Sequence, residues 1–573
     1  MSFSRQIAKN ALLLILGASL YTLASPPYEW ASAAWVALTP FFLVLRDKTP
    51  KAGFVTGLLF GILFCSGIAH WVYIAIATYF PFRFPLDLLF TALSYGFFVG
   101  TYTGCAATLS CVLMRRGSPL LCRIGIPALW VLGEFARSTL FSGFSWELLG
   151  YTQYRYLTLI QIADITGVYG VSFLLALSSY VAAEVIRSFR KSQYSAASSQ
   201  HKEAQRQALI SGFVKLPWAA LGTLAVGVVF TLSYGTLRLR EAPTAPPQEG
   251  VQLALVQGQV PHAQRWQRSY YARTLFHYAT LTRRKLDGIQ PDLIVWPEFA
   301  LGFYLDHEPA LHAQLSQFTQ QVNAAVLFGA PRVEQSTTGE RYYNSAYLLA
   351  PGGAVSDVYD KIRLLPFAEY SPFSLPALVD HSLEHPSQFT AGTQSTVFAL
   401  PKGNFGVLIC YEATYPHLAR QLVQNGAQFL VNLSNDTWLA GEAAAAQHFS
   451  MVVFRAVETR RYLARVATAG ITGFVDPHGH PYQMSSAVDE VVRGTLVPRH
   501  ELTVYTRYGD WFVFVCAGWV VIAALLSSRV GRASDAHVSF TLSEQPATVL
   551  PVVVTSPVQY KREEHTPQSD DTL

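Results

Sequence analysis

Long apolar stretches before residue 238 limit most strongly what this chain can fold into. Seven of them precede a large polar segment and one follows it, at approximately 8–25, 28–45, 53–78, 86–114, 119–137, 160–186, 216–237 and 509–527. Each is long enough to cross the roughly 30 Å hydrocarbon core of a bilayer, the second and the last only just. A signal peptide has a similar N-terminal pattern, but further apolar stretches follow this one at once. The sequence therefore predicts a bundle of eight transmembrane helices.

The composition agrees with a membrane protein and argues against binding to nucleic acid. Of the 573 residues, 51% are hydrophobic and only 14% are charged, against roughly 25% charged in an ordinary soluble domain. The net charge of +5 is modest, and no basic block is interleaved with aromatic residues. No cysteine or histidine cluster has the spacing of a zinc site, so we expect neither a metal nor a cofactor.

Positive charges divide the predicted loops into two classes. Lysines and arginines cluster after the second, fourth, sixth and eighth stretches, whereas the opposite loops carry few. The positive-inside rule then places both termini in the cytoplasm and residues 238–508 on the other side. In a bacterium with two membranes this arrangement predicts a multi-pass protein of the inner membrane with a periplasmic domain.

The segment 238–508 has the pattern of an α/β domain. Short apolar runs alternate with stretches of helical length, such as Tyr270–Leu286 and His448–Ala464. The predicted strands are Val251–Gln257, Leu293–Trp296, Ala325–Gly329, Ser345–Leu349, Phe405–Ile409 and Phe429–Leu433. The sequence thus predicts four parts, namely seven transmembrane helices in 1–237, the α/β domain in 238–508, the eighth helix in 509–528 and a disordered tail in 529–573.

Three reactive residues of the α/β domain follow strand-like runs. Glu298 comes just after Leu293–Trp296, Lys361 follows a strand and its turn, and Cys410 ends the run Phe405–Ile409. If these runs share one sheet, the three groups converge at one edge of it. Each residue taken alone is common in a core or on a surface. Their order and their placement at strand ends make them candidates for one site.

The three side chains suit acyl transfer through a thioester. A thiol with the ordinary pKa of about 8.5 is mostly protonated at neutral pH, so it needs a base. Glu298 can take this proton and return it to a leaving group. Lys361, with a backbone N–H near Cys410, can stabilise the oxyanion of a tetrahedral intermediate.

Charged and aromatic residues near the membrane are further candidates. The charged ones, which are costly inside a bilayer, are Glu134, Arg137 and Asp164. The loop that contains Trp146 is either part of a site or an aromatic belt at the membrane interface. Leu301–Leu305 and Pro372–Leu375 are candidate lids, with ordinary packing as the alternative.

Several motifs occur together along nearly the whole chain. They are Val256–Pro261 followed by Trp266, Tyr359–Lys361 followed by Leu365–Tyr370, Cys410–Glu412, Asn432–Trp438 and the loop Gly143–Trp146. In combination they resemble the nitrilase superfamily and, within it, the apolipoprotein N-acyltransferases of bacterial lipoprotein maturation.

The resemblance implies a fold, a reaction and a set of site residues. The fold is an αββα sandwich on eight transmembrane helices, and the catalytic triad is Glu298, Lys361 and Cys410. A phospholipid gives an acyl chain to the cysteine, and the N-terminal amine of a diacylglyceryl apolipoprotein takes it. Supporting or substrate-binding roles are implied for Glu369, Tyr411, Glu412, Trp266 and Trp146. A monomer is the default expectation.

Two other functions remain open from the sequence. A membrane-tethered amidase or nitrilase-type hydrolase shares the thioester step and differs only in using water as the acceptor. A polytopic transporter or sensor has an outer domain that only binds a ligand. The Glu, Lys and Cys set argues against the second alternative, and so does the small number of charges within the predicted spans.

Overall fold

The computed structural model describes most of the chain as two units. The described residues are 2–79, 83–141, 143–197, 217–243, 246–260, 262–286, 288–337, 339–366, 368–370, 388–438 and 441–541. Residues 1–527 form the first unit, and residues 528–573 form the second. The described part of the second unit is helical as far as Thr541. The predicted disordered tail therefore begins inside this helix, and its residues 542–573 lie outside the described residues.

The apolar half of the chain is helical. Its helices are α1 (Ser2–Ala24), α2 (Thr39–Leu45), α3 (Pro50–Ile68), α4 (His70–Tyr79), α5 (Leu86–Tyr95), α6 (Thr101–Arg116), α7 (Pro119–Thr139), α8 (Leu157–Ile160), α9 (Ala163–Thr166), α10 (Val168–Ala197) and α11 (Trp218–Leu239). A π-helical turn at Gly96–Gly100 joins α5 to α6, and short 3-10 helices lie at Ala31–Trp35 and Leu149–Gln153.

Six helices of the described residues are long and apolar enough to cross a membrane. They are Ser4–Ala24, Pro50–Ile68, Leu86–Arg116, Pro119–Thr139, Val168–Arg190 and Trp218–Leu239. The second and eighth predicted spans correspond to shorter apolar helices, Ala31–Leu45 and Trp511–Ser527. A helical membrane part is therefore confirmed, while the count of eight spans stays a prediction.

Two predicted spans have different bounds in the structure. The third is broken between α3 and α4, and the sixth is broken at Gly167, so that the short helices α8 and α9 precede the long helix α10. Gly167 causes the second difference, because it takes a left-handed φ of 64° that glycine adopts without strain. A Cβ at this position would lie 2.8 Å from the Tyr505 ring.

The polar segment forms two six-stranded sheets. Their strands are β1 (Val251–Gln257), β2 (Leu293–Val295), β3 (Ala325–Ser336), β4 (Gly339–Leu349), β5 (Val355–Asp360), β6 (Val397–Phe398), β7 (Phe405–Ile409), β8 (Phe429–Ser434), β9 (Leu463–Ala467), β10 (Thr472–Val475), β11 (Pro481–Ser485) and β12 (Glu490–Leu496). The strand orders are β12-β1-β2-β3-β4-β5 and β11-β10-β9-β8-β7-β6. Strands β1 to β3 are parallel, as are β7 to β9, and antiparallel strands extend both sheets.

The two sheets pack face to face with helices on both outer faces. Apolar residues of β1, β2, β7 and β8 form the core between the sheets. The remaining helices are α12 (His262–Arg265), α13 (Arg268–Leu286), α14 (Pro309–Val322), α15 (Pro416–Gln424), α16 (Glu442–Thr459), α17 (Val504–Tyr508) and α18 (Trp511–Thr541). Helices α13 and α14 cover the first sheet, whereas α15 and α16 cover the second and share a core with the membrane helices. The two-sheet sandwich implied by the resemblance is confirmed.

One predicted helix is wrong at its C-terminal end. His448–Ala464 was expected to be helical throughout, but α16 ends at Thr459 and β9 begins at Leu463. Arg460 ends the helix in the left-handed region with φ at 50°. The following residues then pair in parallel with β8, so sheet formation outweighs a local pattern that is compatible with a helix.

A buried ion-pair network joins the helical part to the α/β domain at Asp164. Arg460 Nη2 lies 2.7 Å from Asp164 Oδ2, and Arg238 Nε of α11 lies 3.2 Å from the same oxygen. Tyr234 donates to Asp164 Oδ1 at 2.8 Å. The Asp164 side chain is buried, so this charged residue near the start of the sixth predicted span neutralises cations of two other segments.

Asp164→Asn tests this network because it removes the charge and keeps the size of the side chain. We expect the free energy of unfolding to fall by about 3–5 kcal/mol, since Arg460 becomes a buried cation without a carboxylate. Thermal unfolding of the purified protein in detergent measures the change. In the control, Glu241→Gln breaks an exposed pair with Arg238 and should cost less than about 1 kcal/mol. Equal losses in the two variants would contradict the assigned role.

Candidate active site

Glu298 lies in a tight turn after β2 that rests on β3. Gly329 N–H donates to Pro297 O at 3.1 Å. A Cβ at Gly329 would lie 2.7 Å from the Glu298 Cα and 2.6 Å from the Phe299 nitrogen. Only glycine therefore allows this close approach of the two backbones. The turn places the Glu298 carboxylate in the interior, where it is 3% exposed.

Lys361 follows β5 and lies between two carboxylates. Its Nζ is 3.1 Å from Glu298 Oε1 and 2.9 Å from the Glu369 carboxylate. Asn344 of β4 donates through Nδ2 to Glu298 at 2.8 Å and to Glu369 at 2.7 Å. All four side chains are buried. Each negative charge is thus matched by the ammonium and by an amide N–H group.

Asn344 was missed by the sequence analysis. It directly precedes the predicted strand Ser345–Leu349, and no local pattern distinguishes it from an ordinary polar residue at a strand end. The β3–β4 hairpin extends the strand through Asn344 and buries it completely. A buried amide needs partners, and the two carboxylates supply them.

Cys410 reaches the site from the other sheet. It directly follows β7 and begins a short 3-10 helix, Cys410–Thr414. The predicted convergence of the three residues was conditional on one shared sheet, and this condition is not met. Glu298 and Lys361 belong to the first sheet and Cys410 to the second, and they approach one another across the sandwich. The charges of Glu298 and Lys361 both act on the Cys410 thiol.

The surroundings of Cys410 favour the neutral thiol in the resting state. Burial raises the pKa of Cys410, and the negative charge of Glu298 raises it further. Lys361 and the backbone N–H of Asn435 oppose this shift without cancelling it. Burial also raises the pKa of Glu298, against the nearby Lys361 ammonium. A carboxylate with a raised pKa next to a protonated thiol suits proton transfer between the two.

The ammonium form of Lys361 is stabilised by its neighbours. Burial by itself lowers the pKa of a lysine, but Glu298 and Glu369 more than offset this effect and raise it. Lys361 therefore keeps its positive charge in the interior. A fixed positive charge beside the thiol can stabilise an oxyanion that forms on an attacked carbonyl.

Glu412 connects the Lys361 and Cys410 segments. Its carboxylate accepts hydrogen bonds from Tyr359 OH at 2.8 Å and from the backbone N–H of Ile362 and Arg363 at 2.7 and 3.0 Å. It also accepts from the N–H of Ile409, directly before the cysteine, at 2.7 Å. These contacts tie the end of β5 to the end of β7. Its candidate role is therefore to hold two site segments together.

Trp146 reaches the site from the loop after α7. Its ring stacks on that of Tyr411 with centroids 6.4 Å apart, and its side chain is 3% exposed. Trp146 is therefore packed inside the protein, and its role in the site stays a prediction. Arg137 donates to Trp146 O at 2.9 Å, and Glu134 accepts from Leu149 N–H at 2.7 Å. Glu134 and Arg137, near the C-terminal end of α7, thus hold this loop in place.

Trp266 belongs to an apolar wall beside the carboxylates. It contacts Phe299 with ring centroids 4.9 Å apart, and Phe299 contacts Phe389 at 5.7 Å. Phe389 N–H donates to the backbone oxygen of Glu369 at 2.8 Å. Phe299 directly follows Glu298, so the wall flanks both acidic residues, while the substrate-binding role of Trp266 stays a prediction.

The two candidate lids have different outcomes. Leu301, Phe303 and Leu305 are buried in the core formed with α13 and α14. The segment Leu301–Leu305 is therefore packed in this core, as the alternative explanation expected. Pro372–Leu375 lies outside the described residues.

A cluster beneath the thiol has the composition of a metal site but is a hydrogen-bond network. Among the described residues, Cys410, Asp436 and His448 offer ligand atoms within 4.8 Å of one another. His448 Nε2 already lies 3.0 Å from Cys410 O, and its Nδ1 lies 3.3 Å from Asp436 Oδ1. Arg465 donates to Asp436 Oδ2 at 2.6 Å and brings a positive charge that opposes a cation.

Comparisons with known proteins agree with this architecture. The profile of the apolipoprotein N-acyltransferase N-terminal domain matches residues 17–181, and that of carbon-nitrogen hydrolases matches residues 252–496. An apolipoprotein N-acyltransferase of Geobacter metallireducens is 35% identical over 91% of this chain and 96% of its own length. The chain belongs to the apolipoprotein N-acyltransferase family. The family prediction and the prediction of an acyltransferase are thereby confirmed.

A second relative matches nearly the whole chain, and a solved structure matches about half of it. An apolipoprotein N-acyltransferase of Pseudomonas syringae pv. tomato is 28% identical over 91% of this chain and 98% of its own length. Among solved structures, an amidase from Nesterenkonia sp. is 17% identical and covers 47% of this chain and 98% of its own, with a TM-score of 0.34. Both parts of this chain therefore have counterparts within single apolipoprotein N-acyltransferase relatives.

The protonation of Cys410 is testable in the absence of lipid. Because its pKa is raised, thiolate should form only at a pH above that of a free cysteine, which titrates near about 8.5. The protein is alkylated with iodoacetamide at pH values from 6 to 10, and mass spectrometry measures the modified Cys410 peptide. We expect Cys410 to react more slowly than a model thiol at neutral pH.

Glu298→Gln provides the matched control for this measurement. The variant removes a negative charge that disfavours thiolate, so the alkylation profile should move to lower pH. Lys361→Met removes the opposing positive charge and should move the profile to higher pH. A thiolate band at 240 nm that is present at pH 7 in the unmodified protein and absent from Cys410→Ser would contradict the assignment.

Proposed function

We propose that this protein transfers a fatty acyl chain from a membrane phospholipid, through a thioester on Cys410, to the N-terminal amine of a diacylglyceryl-cysteine apolipoprotein. The observation that carries the proposal is the buried ion pair of Glu298 and Lys361, whose charges act on the Cys410 thiol. Glu369 binds the same ammonium, and the domain shares a core with the membrane helices. The names of the relatives supply the class of acceptor.

In the first half-reaction the thiol attacks the ester carbonyl of the phospholipid. Glu298 takes the thiol proton as the bond from sulfur to carbon forms, and Lys361 stabilises the resulting oxyanion. When the intermediate collapses, the bond from acyl carbon to ester oxygen breaks. Glu298 returns the proton to that oxygen, so the lysophospholipid leaves as an alcohol and the acyl chain remains on Cys410.

In the second half-reaction the amine of the apolipoprotein attacks the thioester. Glu298 takes a proton from the attacking nitrogen, and Lys361 again stabilises the oxyanion. The bond from carbon to sulfur breaks, and Glu298 returns the proton to the sulfur. The products are an amide and the original Cys410 thiol, so no cofactor or metal is needed for the balance of atoms and electrons.

The membrane location of the thiol follows from the cost of exposing lipid. Removing an acyl chain from the bilayer costs about 0.8 kcal/mol for each CH₂ group, so the thiol has to lie close to the membrane. The helical part before residue 238 and the helix from Trp511 provide this anchoring. The positive-inside rule supports a periplasmic domain on an inner-membrane protein with eight spans. One chain supplies all the residues named, which is consistent with a monomer.

The central test is mass spectrometry of the full-length protein incubated with phospholipid in mixed micelles. We expect a fatty-acyl mass on the peptide that contains Cys410, and we expect a diacylglyceryl lipopeptide to discharge it with formation of an amide. Cys410→Ser should carry no acyl mass and transfer none. Discharge only as free fatty acid would favour the hydrolase, and an unmodified Cys410 in a sample active on lipopeptide would overturn the mechanism.

The roles of the two charged residues predict separate losses. Glu298→Gln keeps the shape of the side chain but removes the base, and Lys361→Ala removes the oxyanion contact. Each should lower the rate of acyl-enzyme formation by roughly 10²-fold or more, measured by quenching the reaction at short times. In the control, Glu241→Gln alters an exposed carboxylate outside the site and should leave the rate unchanged. A near-normal rate for either site variant would remove that residue from the mechanism.

A further inference from the structure

Cys410 has a backbone conformation that needs external support. Its φ of 50° lies in the left-handed region, which costs a residue with a side chain roughly 1–2 kcal/mol. The direction of the thiol depends on this conformation, because the Cα–Cβ bond turns with the backbone. Groups that bind the adjacent carbonyl therefore help to direct the sulfur atom.

His448 of α16 contacts the backbone carbonyl of Cys410. Its Nε2 lies 3.0 Å from Cys410 O, and Asn432 Nδ2 lies 3.5 Å from the same oxygen. A carbonyl oxygen only accepts hydrogen bonds, so Nε2 must carry the proton. The contact of His448 is the shorter of the two, and the His448 side chain is buried.

The surroundings of the other ring nitrogen of His448, Nδ1, are consistent with a proton on Nε2. Burial and the nearby Arg465 lower the pKa of His448, which favours the neutral ring. Nδ1 lies 3.3 Å from Arg465 Nη2, from which it accepts in the neutral ring, and 3.3 Å from Asp436 Oδ1, which opposes the lowering of the pKa of His448. Arg465 is itself held by Asp436 at 2.6 Å. The network therefore leaves Nε2–H directed at the nucleophile's carbonyl.

Gln447, the residue before His448, connects α16 to the membrane part. The Gln447 amide oxygen accepts from the indole N–H of Trp71 at 3.1 Å and of Trp146 at 2.9 Å. Its amide nitrogen donates to Pro26 O at 2.9 Å and to Ile68 O at 2.8 Å. These four bonds use the full hydrogen-bonding capacity of the amide.

From these contacts we infer that His448 is a positioning residue. Its Nε2–H holds the Cys410 carbonyl and so directs the thiol, while the Gln447 amide sets the position of α16 against the membrane helices. Trp146 reinforces the link, because its ring also packs against His448 with centroids 5.5 Å apart. The inference rests on the proposed function, since it concerns the nucleophile of that reaction.

Two amide substitutions separate this role from simple packing. In His448→Gln the amide nitrogen is three bonds from Cβ, the same number as Nε2 of histidine, so it can reach the Cys410 carbonyl. In His448→Asn the amide nitrogen corresponds to Nδ1 and falls short. We expect the Asn variant to form the acyl-enzyme about 10- to 100-fold more slowly, because small misplacements of reacting groups cost that much.

The Gln variant should stay within about 5-fold of the unmodified protein, because it retains a donor to the carbonyl. The KM for phospholipid should be unchanged in both variants. The rate is measured as the acyl mass on Cys410 at short times, at saturating phospholipid, with the full chain in mixed micelles. Iodoacetamide alkylation of Cys410 provides a second readout that needs no lipid. If the Asn variant does not fold, His448→Met replaces it, since methionine fills the space without a donor.

The outcomes distinguish this inference from the proposed function. If the unmodified protein forms no acyl adduct, the proposed function fails, and alkylation still compares the variants. If it forms the adduct and His448→Asn does so at the same rate, the positioning role is overturned. Equal losses in the Gln and Asn variants, with equal falls in unfolding temperature, would also overturn it. Recovery of the rate by Gln alone is the expected result.

Discussion

The buried ammonium of Lys361 between Glu298 and Glu369 is the contact on which the rest of the site depends. Removing one partner of a buried ion pair costs about 3–5 kcal/mol, because the other charge is left unpaired, so the three segments that carry these charges depend on one another. One segment follows β2, one follows β5 and one contains Glu369. The amide of Asn344 completes the cluster by donating to both carboxylates. The first sheet thereby presents a preorganised set of charges to a thiol carried by the second.

The membrane part contributes to the site as well as anchoring it. Trp146 lies against Tyr411 and His448, and Gln447 bonds four groups of the helical part. An enzyme that takes acyl chains from a bilayer needs its nucleophile at a set height above the lipid. The contacts of Gln447 and Trp146 connect the helical part directly to the helix that binds the Cys410 carbonyl, which fits this need.

Sequence patterns predicted some elements well and others poorly, for identifiable reasons. Val251–Gln257 and Phe405–Ile409 are strands with the predicted bounds, because both are short, apolar and rich in β-branched residues. The stretch His448–Ala464 was predicted to be helical throughout, although its last two residues belong to a strand. A buried strand and a buried helix have similar apolar content, so the sequence did not separate them. Asn344 and His448 were not identified as site residues. Their roles come from partners 46 and 38 residues away along the chain, which local periodicity does not encode.

The sequence by itself determined that this chain has apolar helices followed by an α/β domain, and that Glu298, Lys361 and Cys410 follow strand-like runs. These features follow from hydrophobic spacing and from residue chemistry, which are local properties of the chain. Only the tertiary structure decided that the cysteine belongs to a different sheet from the two charged residues. Strand pairing depends on contacts between distant segments, and the free energy of burying both sheet faces selects among the possible pairings. The same long-range packing brought Trp146, Gln447 and His448 of two separate parts of the chain to one nucleophile.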